Sequence, residues 1–413
     1  MTRFAVLGAS AAGTNVVRKL RELNPEAEII LISEDDAIYS RCILYHKLEG
    51  IRDLEGMNFV GPDFIERMGC TWIKGVRVVG LEVEQNRVLL SDGQKVAYDQ
   101  LCICTGSHTN YPPIPGLKEA KNVVGFRNYA DVLEVEKWLP KAQNILIMGA
   151  GLVGVDVMTG LLDHGKNIYI CARRNHMLPD QLDDYAASVY EKKYADAGVN
   201  FRFGRSAGEL ILDEEGICRK VIMTDGEELP MDLIINCAGV KANVEFLADT
   251  PVECDRKGLI FDEYGRTSVP NIYGAGDVSG KSPIWPAAVK EGMIAAYNMS
   301  GIKRTKDDFF ASRSTMNFFR LPTMSLGNVN KYDETYTEEI FKDEEKQIYR
   351  KVVHKDGIIT GAILQGDLSY CGVLTQLIRR KIDITRVKKP LFQIDYSDFF
   401  HQNERYEFLY EDA

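Results

Sequence analysis

The chain has 413 residues, 45% apolar and 27% charged, with a formal net charge of −10. That length predicts two or three domains, and the composition is that of a globular protein with no disordered stretch. The acidity excludes nucleic acid and anionic lipid as partners. With no leader pattern and no apolar run of about 18 residues, a cytoplasmic protein outside the membrane is expected.

The first elements form a strand–turn–helix–strand unit. Arg3-Phe4-Ala5-Val6-Leu7 reads as a strand, Gly8-Ala9-Ser10-Ala11-Ala12-Gly13 as a turn, and the residues to about Leu23 as a helix. A second strand, Glu28 to Ser33, ends at Glu34-Asp35-Asp36. This is a dinucleotide fingerprint in its proper setting. Gly8 permits the tight turn, and Ser10 is small enough for backbone to approach a pyrophosphate. Gly13 lets helix and strand pack closely, and the helix N-terminus faces the phosphates. Glu34 stands where an acid binds a ribose hydroxyl pair.

Leu101-Cys102-Ile103-Cys104 alternates like a buried strand. The nine cysteines show no C-x-x-C pair and no metal-ligand spacing with histidine, so no metal is expected and a reducing compartment fits.

The fingerprint recurs at 144–172. The strand Asn144 to Met148 leads into Gly149-Ala150-Gly151-Leu152-Val153-Gly154, followed by a helix to about His164 and a strand from Asn167 to Cys171. Two such units imply two dinucleotides. A flavin accepts a hydride from a nicotinamide and releases electrons singly or in pairs, so FAD on the first unit and NADPH or NADH on the second is the economical expectation. The second strand ends in Ala172 rather than an acid, with Arg173 and Arg174 next. Arginines there suit a 2′-phosphate, and NADPH is preferred over NADH on that ground.

Further along, Gln347 to Val353 and Ile358 to Leu364 alternate as antiparallel strands, with Lys355-Asp356-Gly357 as the hairpin turn. A helix from about Leu368 to Arg380 follows. The tail from Lys388 carries Phe392, Tyr396, Phe399, Phe400, Tyr406, Phe408 and Tyr410. These aromatics either dock the tail on the body or form a subunit or partner surface; a homodimer is one possibility.

Taken together, these motifs resemble the FAD-dependent pyridine nucleotide oxidoreductases. That family includes rubredoxin and ferredoxin reductases, NADH oxidases and the flavin module of the nitrite reductase large subunit. Cys104-Thr105-Gly106-Ser107 and Pro112 to Gly116 resemble the crossing from the FAD domain to the NAD domain, and Cys237-Ala238-Gly239 the crossing back, with Ala238 for the usual threonine. Thr267 to Asp277 resembles the second FAD motif, in which Gly276 and Asp277 would hold the pyrophosphate and the ribityl chain. Trp285-Pro286 and the residues to Gly292 resemble the helix start that closes over the isoalloxazine. The resemblance further implies that Arg41 lies beside the FAD phosphates, that the Val78 backbone meets the adenine, and that Arg127 contacts FAD.

Two departures matter. Asp156 replaces the family glutamate near the nicotinamide, and Ser10 replaces the histidine of the NADH oxidase and peroxidase branch, which counts against oxygen or peroxide reduction. The implied fold is α/β: two Rossmann-like domains plus a C-terminal α+β domain, with FAD-binding residues at 1–112 and 245–310, the NAD(P) domain at 113–244, and the third domain at 311–413. The chain ends at Ala413 without the iron–sulfur and sirohaem modules of a complete nitrite reductase.

The leading expectation is therefore an NAD(P)H oxidoreductase that delivers electrons to a rubredoxin, a ferredoxin or a metalloenzyme. Residues 39–50 resemble the nitrite and rubredoxin reductases, in which position 42 is merely apolar. Cys42 keeps a second expectation open, a thiol, disulfide or coenzyme A disulfide reductase or an NADH oxidase. It lies eight residues before Gly50, the spacing of the single redox cysteine in that branch, and Arg41 beside it would favour the thiolate. A third expectation, a structural or signalling flavoprotein, is opposed by the intact second glycine motif.

Overall fold

The apolar run Phe4 to Leu7 becomes the middle of a five-stranded parallel sheet. A computed structural model describes residues 2–281, 283–306 and 313–410. They fall into two units: residues 1–149, 156–171 and 205–307 in the first, and 150–155, 172–204 and 308–413 in the second.

In the first unit the strand order is Ile272–Gly274, Gln100–Ile103, Arg3–Leu7, Glu28–Ser33 and Thr71–Lys74, all parallel. Successive side chains leave a strand on opposite faces, and both faces here are covered. Phe4 and Val6 pack with Val16, Val17 and Leu20 of the helix Ala11–Leu23, and with Ala295, Ala296 and Met299 of the helix Trp285–Met299. Ala5 and Leu7 face Leu81, Val88, Leu90 and Val96. Those residues belong to the antiparallel strands Val78–Glu82, Arg87–Leu90 and Lys95–Ala97.

A second parallel sheet takes the order Asn167–Ala172, Asn144–Met148, Leu233–Asn236 and Val123–Gly125. Leu146, Met148 and Ile234 share a core with Val221 and Leu229 of an antiparallel sheet built from Ala207–Leu212, Cys218–Met223 and Glu228–Pro230. The two crossing segments pair with each other, Ser107–Thr109 running antiparallel to Val240–Ala242.

The second unit holds a five-stranded antiparallel sheet, in the order Arg313–Met316, Thr323–Gly327, Ile358–Gln365, Ile348–Lys355 and Thr337–Asp343. Leu326, Val352, Ala362 and Leu364 pack against Leu374 and Leu377 of the helix Cys371–Arg379. The hairpin turn falls on Asp356 (φ +50°) and Gly357 (φ +79°), the two positive φ values that a two-residue loop between twisted strands demands.

The α/β class with two Rossmann-type sheets and a C-terminal sheet domain is thus as the sequence implies. The expected strands and helices sit within a few residues of their predicted bounds, and Cys102 and Cys104 are buried in the first sheet and at its strand end. The tail docks on the second unit's own core through Leu391, Ile394 and Phe399, with Phe392 half-buried against them. Tyr406 stays exposed. The side chains of Tyr396, Phe400, Phe408 and Tyr410, the limit set at 310/311, and Ala413 lie outside the described residues. Among the described residues no helix is long and apolar enough to cross a membrane, and no group of three His, Cys, Asp or Glu is placed to hold a metal ion.

Candidate functional site

A cleft of about 1420 Å³ opens at the C-terminal ends of the first sheet's strands. Gly8 forms its floor. The residue has φ +110°, and a Cβ there would stand 2.2 Å from the carbonyl oxygen of Cys104, so only glycine fits. Gly13 lies beneath it, where a Cβ would meet the Gly8 oxygen at 1.8 Å. This close approach brings the helix Ala11–Leu23 onto the strand, so that Ser10, Ala11 and Ala12 line the cleft at the helix N-terminus. The first-turn N–H groups of a helix have no intrahelical acceptor and favour an anion.

The rest of the wall comes from distant segments: Glu34, Arg41, Cys42, Val78, Thr105, Gly106, Arg127, Gly276, Asp277 and Trp285 all line the same cleft. Arg127 and Asp277, 150 residues apart, form a salt bridge on it. Arg41 donates to Asp35 at 2.5 Å, and Tyr39 donates its hydroxyl to the same carboxylate at 3.0 Å. Glu34 pairs with Arg77 at 2.6 Å in an exposed contact that holds it only weakly. Trp285 packs edge-on against Phe59, with ring centroids 4.7 Å apart. Thr105 and Asn243 tie the two crossings: the Thr105 hydroxyl donates to the Asn243 carbonyl, and the Asn243 amide donates to the Thr105 carbonyl, both at 2.8 Å. Pro286 sits at the start of its helix and is not on the wall.

The second glycine turn begins with the same construction. Gly149 has φ +109°, and a Cβ there would stand 2.4 Å from the Cys237 oxygen. Its N–H donates to Cys171 as that of Gly8 does to Ile32, at 2.8 and 2.7 Å. Gly239 follows Cys237-Ala238 with φ +98°. Leu152 and Val153 open the helix Leu152–Leu161, and Gly154 is buried within it. A Cβ on Gly151 would meet open space. Arg173 and Arg174 are exposed just past the strand end. None of these residues lies on the large cleft, so the structure separates the predicted residues into two groups.

Asp156, on the helix Leu152–Leu161, has its carboxyl pushed well above the usual range by burial and, secondly, by Glu49. Cys42 is exposed to the cleft, yet the protein packed around it desolvates the thiol and, with the Asp156 charge next, pushes it up to about 11, outweighing Arg127 and Arg41. Arg41 does favour the Cys42 thiolate, as its position beside the thiol implies, but desolvation and the neighbouring carboxylates outweigh it and hold the thiol toward the neutral form.

Sequence reasoning passed over Asp35, Tyr39, Arg77, Tyr129, Asp131 and Asn243 as wall residues. Asp35 adjoins Glu34 and Tyr39 adjoins the stretch that contains Arg41, so proximity was a signal. Nothing local marks Asn243.

Residues 2–292 match the pyridine nucleotide-disulphide oxidoreductase family, and the chain belongs to it. Residues 314–382 match the rubredoxin NAD+ reductase C-terminal domain. The family is one of oxidoreductases that act with a pyridine nucleotide.

Among its relatives, the assimilatory nitrate reductase electron transfer subunit of Bacillus subtilis is 25% identical over 96% of this chain, which spans only 51% of that protein. A ferredoxin reductase from Rhodopseudomonas palustris shares the fold with a TM-score of 0.84, at 19% identity over 95% of this chain and 98% of its own. An engineered water-forming NADPH oxidase bound to NADPH, derived from a Lactobacillus brevis enzyme, also superposes with a TM-score of 0.84, at 21% identity over 95% and 94%. The glycine floor, the helix N-terminus and the arginines Arg41 and Arg127 on a wall of mixed charge fit a diphosphate-bearing flavin.

Proposed function

We propose that this protein passes electrons from NAD(P)H, through FAD in the large cleft, to a small redox protein of the rubredoxin or ferredoxin type. The observation that carries this reading is the match of residues 314–382 to the rubredoxin NAD+ reductase C-terminal domain, and the thiols of the cleft agree with it. Desolvation raises Cys42, and the contact with Cys102, ahead of burial, raises Cys104. Both thiols are thus held toward the neutral form, which favours an acceptor outside the chain over either cysteine.

In this reading Gly8, Ser10, Ala11, Ala12 and Gly13 hold the diphosphate, and Arg41 and Arg127 balance its charge. Glu34 takes the adenosine ribose, the Val78 backbone the adenine, Asp277 the ribityl chain, and Trp285 covers the ring. When bound, the flavin supplies hydride acceptance and electron release in one or two steps. Gly149 to Gly154 receive the nicotinamide dinucleotide, and Asp156 stands near its reacting end. The setting is cytoplasmic.

The test is turnover of the purified holoprotein with NAD(P)H and either a rubredoxin, a ferredoxin or coenzyme A disulfide. Reduction of an iron–sulfur protein is expected, with Cys42→Ser within about twofold of wild type, since the change removes only a neutral small side chain. Coenzyme A disulfide reduction abolished by Cys42→Ser, with no protein acceptor reduced, would overturn the proposal.

Arg173 and Arg174 set the nicotinamide preference toward NADPH. The engineered oxidase compared above carries alanine and arginine where its parent has aspartate and alanine; this chain reads Ala172-Arg173 across the end of its strand. Arg173→Ala is expected to lower kcat/KM for NADPH about tenfold, some 1.4 kcal/mol, while leaving NADH nearly unchanged. A wild-type preference for NADH that Arg173→Ala does not alter would refute this.

A further inference from the structure

The turn that carries Asp277 is held from behind by a buried carboxylate. Glu291 lies on the helix Trp285–Met299, is 9% exposed, and is not part of the cleft wall. Its Oε2 accepts the N–H of Gly276 at 2.9 Å. Its Oε1 accepts Lys306 Nζ at 2.5 Å. Lys306 is itself anchored, since its backbone N–H donates to the Glu263 carbonyl at 3.1 Å.

Gly276 is a constrained point. It has φ +83°, and a Cβ there would stand 3.1 Å from Ala12 Cβ and 3.4 Å from Ala288 Cβ. It is therefore wedged where the helices Ala11–Leu23 and Trp285–Met299 both begin at the cleft. One peptide further on, Asp277 meets Arg127. The direction of the Asp277 carboxylate depends on that peptide, and Glu291 fixes its preceding N–H.

We infer that Glu291 is a positioning residue for the cofactor turn, with Lys306 as its counter-charge; this rests on the reading of Asp277 as a flavin ligand. A charge-assisted hydrogen bond is roughly twice as strong as a neutral one, so a carboxylate pins Gly276 more firmly than a neutral acceptor of the same reach. A buried carboxylate without a partner is costly, and Lys306 removes that cost. Glu291 touches no reacting atom and acts through Gly276 alone.

Apoprotein titrated with FAD, followed by flavin fluorescence, tests this in parallel with the thermal unfolding of the apoprotein. Glu291→Ala is expected to weaken FAD binding about tenfold, because the Gly276 N–H loses its acceptor. Glu291→Gln keeps an acceptor for that N–H while losing the ion pair, and should restore affinity to within about threefold of wild type. A purely structural ion pair predicts a different pattern. Glu291→Gln and Lys306→Met would then lower the apoprotein melting temperature as much as Glu291→Ala does, and FAD affinity would not follow the acceptor. That pattern, or unchanged FAD affinity in Glu291→Ala, overturns the inference. Wild-type apoprotein that takes up no FAD would instead overturn the reading of the cleft, and this inference with it.

Discussion

Asp183→Ala is expected to destabilise the second unit by about 3 kcal/mol, the cost of taking from a buried ammonium one of its two carboxylates together with a helix cap. Lys351 lies inside the antiparallel sheet with 4% of its surface exposed. Its Nζ sits 3.3 Å from Asp183 and 2.9 Å from Glu338. Asp183 does three things at once. It pairs with Lys351, its Oδ2 accepts the Tyr349 hydroxyl at 2.5 Å, and its Oδ1 accepts the Ala186 N–H at 3.0 Å as the N-cap of the helix Asp184–Asp196. Cap loss alone costs about 1 kcal/mol; leaving the buried ammonium with Glu338 as its single carboxylate, and the Tyr349 hydroxyl without its acceptor, is the larger part. Asp183→Asn keeps one acceptor oxygen, which can still cap the helix, but puts an amide donor in place of the other and removes the charge, so it should fall between wild type and Asp183→Ala. Denaturant unfolding of the three proteins decides it. A loss under about 1 kcal/mol in Asp183→Ala would mean that Glu338 alone satisfies Lys351.

The features legible in the sequence are those fixed by local geometry. Gly8 and Gly149 announce themselves because each turn needs a positive φ and a missing Cβ against the next strand's carbonyl, at Cys104 and Cys237. Asp356-Gly357 announces its hairpin for the same reason. The edge strand Thr337–Asp343 was illegible: it carries Glu338, Glu339, Lys342 and Asp343 and leaves Ile340 and Phe341 exposed, so it lacks the alternation of a half-buried strand. Charge is what suits an unpaired sheet edge, and it hides the strand from pattern reading.

The site divides in the same way. The glycine turns and Asp277 stand in local motifs. The partners that orient their neighbours, Asp35 for Arg41, Arg127 for Asp277 and Glu291 for Gly276, are contacts made by folding. The surroundings of Cys42 have that origin too. Arg41, adjacent in sequence, favours the thiolate, whereas desolvation first and then the Asp156 and Asp277 carboxylates that the fold brings near outweigh it.

Asp277→Ala should weaken FAD binding about ten- to a hundredfold, the equivalent of the 1.5–3 kcal/mol that a hydrogen bond to a charged group contributes. Two effects of the change oppose each other. The ribityl hydroxyl loses its charged acceptor, which weakens binding. Arg127, freed from its salt bridge on the cleft wall, becomes an uncompensated cation that attracts the diphosphate. The first effect is a direct contact and the second acts through an open cleft that water and salt screen, so the loss should win at physiological ionic strength. Asp277→Asn separates them, since it keeps an acceptor, removes the charge and loosens Arg127. Its FAD affinity should lie between wild type and Asp277→Ala, and the gap between the two variants should narrow as salt is removed and the pull of Arg127 on the diphosphate grows. Equilibrium titration of the three apoproteins at low and at physiological salt makes the comparison. If Asp277→Ala binds FAD as tightly as wild type at both, Asp277 serves only to hold Arg127, and the ribityl chain finds its acceptor elsewhere on the wall.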